Sequence, residues 1–394
     1  MPKISLNSAK TGTRGLRLPG EIKEKAVRRN QAKTKKREFR AMKRKLSMIL
    51  AAVMTAVMLA GCSAQETSSD GAPKPELNII VAHNQTSMEN PYTKAAIRFK
   101  EALEEVSGGR ATATLHHGTL GENESELVEK LEMGAVHLTV ASPGFMTLLG
   151  VKEIDMFSLL YLFDSFDHWE ACVDGQFGQD MSKLLAEKTD DRFRIMGYWT
   201  ASVRDYYGKK PVVSPEDLKG MTIRTQSTPV VQEFWKTCGA IPTSVAWGEL
   251  YQALSQGVVD SAENDYTSFR LKEHHKTDNG KYISETHHDY TTRLFLTTGQ
   301  FYNALTEEQR GWFDEACRIA TEENRQVTYD MFDESKEKVI ADGAIVTNFE
   351  DVNVDAFKAI AVPIQDRFAA ENNMENYLDI IRSEGEKLKQ ENAQ

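Results

Sequence analysis

The sequence predicts an α/β fold of two lobes, each a mostly parallel sheet flanked by helices. Three observations predict it. From residue 76 onward, apolar runs of strand length alternate with amphipathic runs of helix length, as strand–helix–strand units require. The alternation occurs twice, first over 77–142 and again over 193–264, without any repeat of sequence. Finally, one helical pattern from Thr306 lasts about 36 residues, roughly 54 Å at 1.5 Å per residue, which exceeds one lobe and bridges both. A chain of 394 residues, 40% hydrophobic, suffices for two cores.

The head of the chain is different. Residues 1–61 hold 16 Lys/Arg and 3 Asp/Glu, which leaves 32 and 55 for the remainder, so the net charge of −10 hides a body of −23. A body that acidic repels nucleic acid. Lys43, Arg44 and Lys45 precede an apolar run of 15 residues, Leu46 to Ala60, short for a membrane span. The run ends in Leu59-Ala60-Gly61-Cys62, which resembles the lipobox of bacterial lipoproteins. That resemblance implies a signal peptide over 42–61, removed so that Cys62 carries lipid at the new N-terminus, and an extracytoplasmic, lipid-anchored chain. An uncleaved anchor helix is the other reading. Met42 is a natural start, leaving 1–41 as an upstream extension, and 62–75 is a polar Ser/Gly/Pro tether. The other cysteines, Cys172, Cys238 and Cys317, lack metal or redox spacing and read as small buried side chains.

Along the body, ELNIIVAHN is a strand. PYTKAAIRFKEALEEVSGG is a helix with Pro91 at its start and glycines at its end. RATATLHHG, ENESELVEKLEMG and AVHLTVASPG follow as strand, helix and strand. Ligands of such sheets collect beyond the carboxyl ends of the strands, where His83, His116, His117 and Ser142 fall. RFRIMGYWTASVRDYY reads as a strand that passes between lobes. SPEDLKG is a short helix capped by Ser214. MTIRT is a strand, TPVVQEFWKTCG and WGELYQALSQG are helices, and VVDSAEN is a strand. Thr306 and Gln309 form a capping box for the long helix.

Two arginines, Arg204 and Arg224, sit in apolar or aromatic settings near strand ends. A guanidinium is a planar fork that matches a carboxylate with two parallel hydrogen bonds. Taken alone, each reads first as half of a structural ion pair. Arg224 with Asn264 at neighbouring strand ends favours an external carboxylate, with Asn264 fixing its orientation.

The segment DLKGMTIRTQSTPVVQEFWKTCGAIPTSVAWGELYQALSQGVVDSAEN resembles that of the DctP-type substrate-binding proteins of TRAP (tripartite ATP-independent periplasmic) transporters. The likeness extends over roughly residues 77–390. It implies a two-lobe periplasmic-binding-protein-like fold with a strand hinge and a long helix spanning both lobes. Lobe 1 would be 76–201 with 291–328, and lobe 2 would be 202–290 with 329–394. It further implies a solute receptor, not an enzyme, that needs no cofactor or metal, closes on a small organic acid such as a dicarboxylate or sugar acid, and hands it to membrane permease subunits. Carried over residue by residue, it implies Arg224, Arg204, Asn264, Trp247, His83, Ser142 and His288 as ligand-binding positions. The sequence departs from the pattern at Ser261, at the TQST that follows the strand arginine and at the DYTSF that follows Asn264, all lining the cleft.

The sequence also bears on other functional classes. His116-His117, His274-His275 and His287-His288 suggest zinc and a metal-dependent hydrolase, but adjacent residues of a strand point to opposite faces. No HExxH, GxSxG or P-loop motif occurs. A receptor of an ATP-driven importer, or a sensor, shares the two-lobe body. Trp199, Tyr206, Tyr207 and Trp247 are either cleft-lining aromatics or core.

Overall fold

The computed structural model describes residues 75–226 and 228–392. The readings made on the extension, the signal peptide, Cys62 and nearly all of the tether therefore lie outside the described residues. Among the described residues there are nine strands: β1 Leu77–His83, β2 Ala111–His117, β3 Leu138–Ala141, β4 Arg194–Gly208, β5 Thr222–Thr225, β6 Ile241–Ser244, β7 Ser261–Asn264, β8 Tyr282–Thr297 and β9 Ile345–Thr347. They form one sheet in the order β2-β1-β3-β8-β4-β7-β5-β6, with β9 beside β8.

The pairing explains the two lobes. β1 runs parallel to β2 and β3, and β5 runs parallel to β6 and β7, so each end of the sheet is a parallel unit. The long strands β4 and β8 lie antiparallel to each other, to β3 at one end and to β7 at the other. Their ribbon carries the chain between the two parallel units, as the sequence predicts for 192–207. Its register slips between Thr200 and Val203 and between Arg204 and Tyr206. Ser202 (φ 69°) and His287 (φ 43°) take left-handed backbone there, uncommon for residues with a Cβ.

Local chemistry sets the helix ends. Asn90 caps Pro91–Ser107 by accepting from Tyr92 N, Pro91 occupies the first turn, and Gly108 (φ 62°) closes the helix. The helix Glu307–Ala341 has 35 residues and the Thr306/Gln309 capping box. It packs on Pro91–Ser107 of one parallel unit, on β4, and on Tyr266–Leu271 of the other, so it does bridge both. The core runs along both faces of the ribbon. Trp199 is fully buried against Phe295, ring centroids 4.3 Å apart, and its Nε1 donates to Thr321 Oγ1 of the long helix. Cys172, Cys238 and Cys317 are free and buried.

Candidate functional site

A cavity of about 450 Å³ lies where the strand ends of the two parallel units face each other. One wall holds Asn84, Gln85, Tyr92, Glu124 and Ser142; the other holds Arg224, Thr225, Trp247, Asn264 and Asp265, with Arg293 of β8 between them. The volume falls within the roughly 300–1,000 Å³ of small-molecule sites.

Arg224 is the third residue of β5 and is buried, 5% exposed. Its Nε donates to Val245 O at 3.0 Å, which fixes the plane of the guanidinium. Neither Nη donates to any described residue, and both are open to the cavity. No carboxylate among the described residues stands within 4.0 Å of it. Burial lowers its pKa, with Glu263 as the largest opposing influence; as an arginine it stays charged. Trp247 shields one side of the group, its ring centroid 5.9 Å from Arg224 Cζ. A buried charge with a free fork and no described carboxylate within 4.0 Å is arranged for an external anion.

The second arginine at the cavity is Arg293, not Arg204. Arg293 is 7% exposed; its Nε donates to Tyr92 Oη (3.1 Å) and its Nη1 to Thr292 O (3.2 Å). Nη2 has no partner among the described residues. Arg204 is absorbed elsewhere: Nε donates to Glu263, Nη1 to Asn264 Oδ1 (2.8 Å) and Nη2 to Glu263 O (2.7 Å). It lines a separate cavity of only about 20 Å³ beside Glu263 and Asp289. The expectation that Arg204 and Arg224 converge on one cleft is thus corrected, because β7 places Glu263 across from β4 as an internal acid for Arg204. The pair holds the Glu263 carboxyl down, at about 2, although burial alone would raise it.

The remaining expected positions divide. Asn264 lines the cavity, its Oδ1 taken by Arg204 and the Asp265 amide and its Nδ2 unpartnered among the described residues. Trp247 lines it too, with a buried Nε1 that has no partner among the described residues. Ser142 lines it, but its amide and hydroxyl both donate to Glu124 Oε2 at 2.7 Å. His83 is turned into the protein, 2.9 Å from His117 through Nε2, and burial with His117 lowers its pKa to about 3; the cavity is reached by Asn84 and Gln85. His288 is wholly buried between Thr286 Oγ1 (2.8 Å) and Glu263 (3.3 Å). Trp199, Tyr206 and Tyr207 are core, and none lines the cavity. Sequence reasoning passed over Arg293, although TTRLFLTT carries the same signal as the β5 arginine, a lone guanidinium in an apolar strand. It also passed over Glu124 and Asp265.

Comparison with known proteins agrees with this architecture. The family model described as bacterial extracellular solute-binding protein, family 7 (DctP), matches residues 81–372. A solute-binding protein of Sulfitobacter sp. (strain NAS-14.1) is 27% identical over 332 residues, covering 84% of this chain and 98% of that one. Among solved structures, a TRAP periplasmic solute binding protein from Anaerococcus prevotii with bound α/β-D-glucuronate superposes with a TM-score of 0.73 at 27% identity, covering 79% of this chain and 99% of its own. Another, from Sulfitobacter sp. NAS-14.1 with bound β-D-galacturonate, gives 0.71 at 26%, covering 78% and 99%. The chain belongs to the bacterial extracellular solute-binding proteins of family 7, the DctP family, and is a transport receptor rather than an enzyme.

Proposed function

We propose that this receptor captures a sugar acid in the cavity between its two lobes and delivers it to TRAP permease subunits. The carrying observation is the free fork of Arg224 in a cavity with a second guanidinium, Arg293, that has no ion-pair partner among the described residues. In this reading the ligand carboxylate takes both Arg224 Nη groups, Asn264 donates through Nδ2, and Trp247 packs on the ligand. Relatives that hold glucuronate and galacturonate support the ligand class. Lobe 1 is 76–201 with 291–328 and lobe 2 is 202–290 with 329–394; the slipped register near Ser202 and His287 is where they hinge. Closure removes water from the carboxylate, which strengthens both arginine bonds. A ligand touching both lobes favours the closed form by its differential affinity.

The test is thermal melting against a panel of sugar acids and dicarboxylates. A ligand at 100 times its Kd stabilises by about 2.7 kcal/mol. A shift with a sugar acid that Arg224→Ala abolishes supports the proposal; no shift with any acid refutes it.

We also propose that Cys62 is lipidated after removal of 42–61, holding the body at the outer face of the membrane by its tether. No helix among the described residues is long and apolar enough to span a membrane. Metabolic labelling with a tagged fatty acid should mark the native protein and not Cys62→Ser; equal labelling would refute this.

A further inference from the structure

The cavity has a second polar centre, built from Glu124 and Arg293. Glu124 is the first residue of the helix Glu124–Glu132. Its Oε2 accepts from the amide and the hydroxyl of Ser142, both at 2.7 Å, so two donors fix the carboxylate. Oε1 accepts from no described residue and is open, in the cavity wall. Arg293 is fixed in the same way, through Nε on Tyr92 Oη and Nη1 on Thr292 O, with Nη2 left over. The two groups do not touch: no carboxylate oxygen of a described residue is within 4.0 Å of the Arg293 guanidinium. Yet they sense each other. Burial works against the charge on Arg293, and Tyr92, Glu124 and Asp289 together outweigh it, leaving its pKa raised.

One open carboxylate oxygen and one open guanidinium nitrogen, separated and rigidly held, restrict what fits between them. A second ligand carboxylate would suit Arg293 but would meet Glu124 with like charge. An ammonium group would suit Glu124 but would meet Arg293. A hydroxyl serves both, since it donates to Glu124 Oε1 while accepting from Arg293 Nη2. Neighbouring hydroxyls of one chain or ring do so equally well.

We infer that Glu124 and Arg293 form a hydroxyl-reading subsite opposite the Arg224 fork, which makes the receptor select polyhydroxy monoacids over hydroxyl-free dicarboxylates and amino acids. Ser142 is a positioning residue in this subsite, acting through Glu124. The inference rests on the proposed reading of the cavity as the solute site. Selectivity arises from both an attraction and a rejection, because the group that binds the hydroxyl repels the second carboxylate.

Calorimetric titration of the purified protein tests it with D-glucuronate, D-galacturonate, L-galactonate, succinate, adipate and L-glutamate. The native protein should bind at least one of the three sugar acids about 100-fold or more tighter than the diacids and glutamate. Glu124→Gln, at a half-buried position, should weaken the sugar acid roughly 10- to 100-fold, as loss of a hydrogen bond to a charged group does. The same change should leave succinate and adipate within threefold or tighten them, since the repulsion is gone. Arg293→Lys should also weaken the sugar acid, and unliganded melting confirms that each variant is folded. Native binding of succinate or adipate as tight as that of the sugar acid overturns the inference whatever the variants do, and so does binding of none of the six. If Glu124→Gln and Arg293→Lys leave sugar-acid binding within threefold while Arg224→Ala abolishes it, the subsite is wrong and the solute site stands. If Arg224→Ala leaves it unchanged as well, the solute site itself is misplaced.

Discussion

Replacing Arg224 by methionine should move two quantities in different directions. Methionine has a similar stem, fits the apolar part of the position and removes the charge. The free fork would give a ligand carboxylate two charge-assisted hydrogen bonds at about 1.5–3 kcal/mol each. Their loss is about 3–6 kcal/mol, or roughly 10²- to 10⁴-fold in Kd. The unliganded fold behaves otherwise. It loses one bond, Arg224 Nε to Val245 O, worth about 1 kcal/mol. It also sheds a buried guanidinium that no described carboxylate neutralises, a burden of several kcal/mol. The two oppose, so unliganded melting should stay within about 4 °C of native or rise, at roughly 2 °C per kcal/mol for a chain of this size. Calorimetric titration with D-glucuronate and D-galacturonate reads the first effect, and a melting curve without ligand reads the second. Arg224→Lys keeps the charge without the fork and should fall between. An Arg224→Met protein that melts more than about 10 °C lower without ligand, or that binds sugar acids within tenfold of native, would refute the reasoning, because Arg224 would then be a structural ion-pair partner.

Other changes test the frame around it. Arg204→Met should have the opposite character to Arg224→Met: it strands Glu263 as a buried charge, and a urea melt should show a loss of about 3–5 kcal/mol. Asp155 is buried and its carboxyl is pushed up to about 6; its charged form weakens the fold above pH 6 and has no effect below the ordinary 3.8. Asp155→Asn should therefore stabilise by up to about 3 kcal/mol at pH 8, with the gain fading towards pH 4 in parallel urea melts. His83, held down to about 3, is neutral in the fold and takes up a proton first in the unfolded chain. Its contribution is complete above the ordinary 6.5 and is lost as pH falls towards 3. Since His274 shares this direction, His83→Gln should reduce, not abolish, the fall in stability between pH 7 and 4.

Much of the fold was legible because its signals are local. Asn90 and Pro91, Ser214 and Pro215, and the Thr306/Gln309 box mark helix starts within four residues of chain. The alternation of strands and helices fixes the two parallel units, and the length of the helix that starts after Thr306 requires it to bridge them. The site was legible only where one residue states its own need. Arg224 and Asn264 are polar groups at the ends of apolar strands, and both reach the cavity. Arg204 sends the same local signal, but its partner Glu263 stands 59 residues away and meets it only through the β4–β7 ladder. His83 and His288 show a second limit. Position at a strand end does not say which way His83 turns, and a family likeness does not say that His288, in the middle of β8, reaches the cavity; both are buried away from it. Glu124 was hidden for a third reason. A glutamate in the first turn of a helix is ordinary on electrostatic grounds, and only the fold brings Ser142 to it.

The most direct test of the central claim is a crystal structure grown with D-glucuronate or D-galacturonate. The account predicts the sugar acid in the cavity between the strand ends, its carboxylate oxygens about 2.7–2.9 Å from both Nη atoms of Arg224, and Arg204 still bound to Glu263. A carboxylate held by Arg204, or a ligand bound away from Arg224, would contradict it.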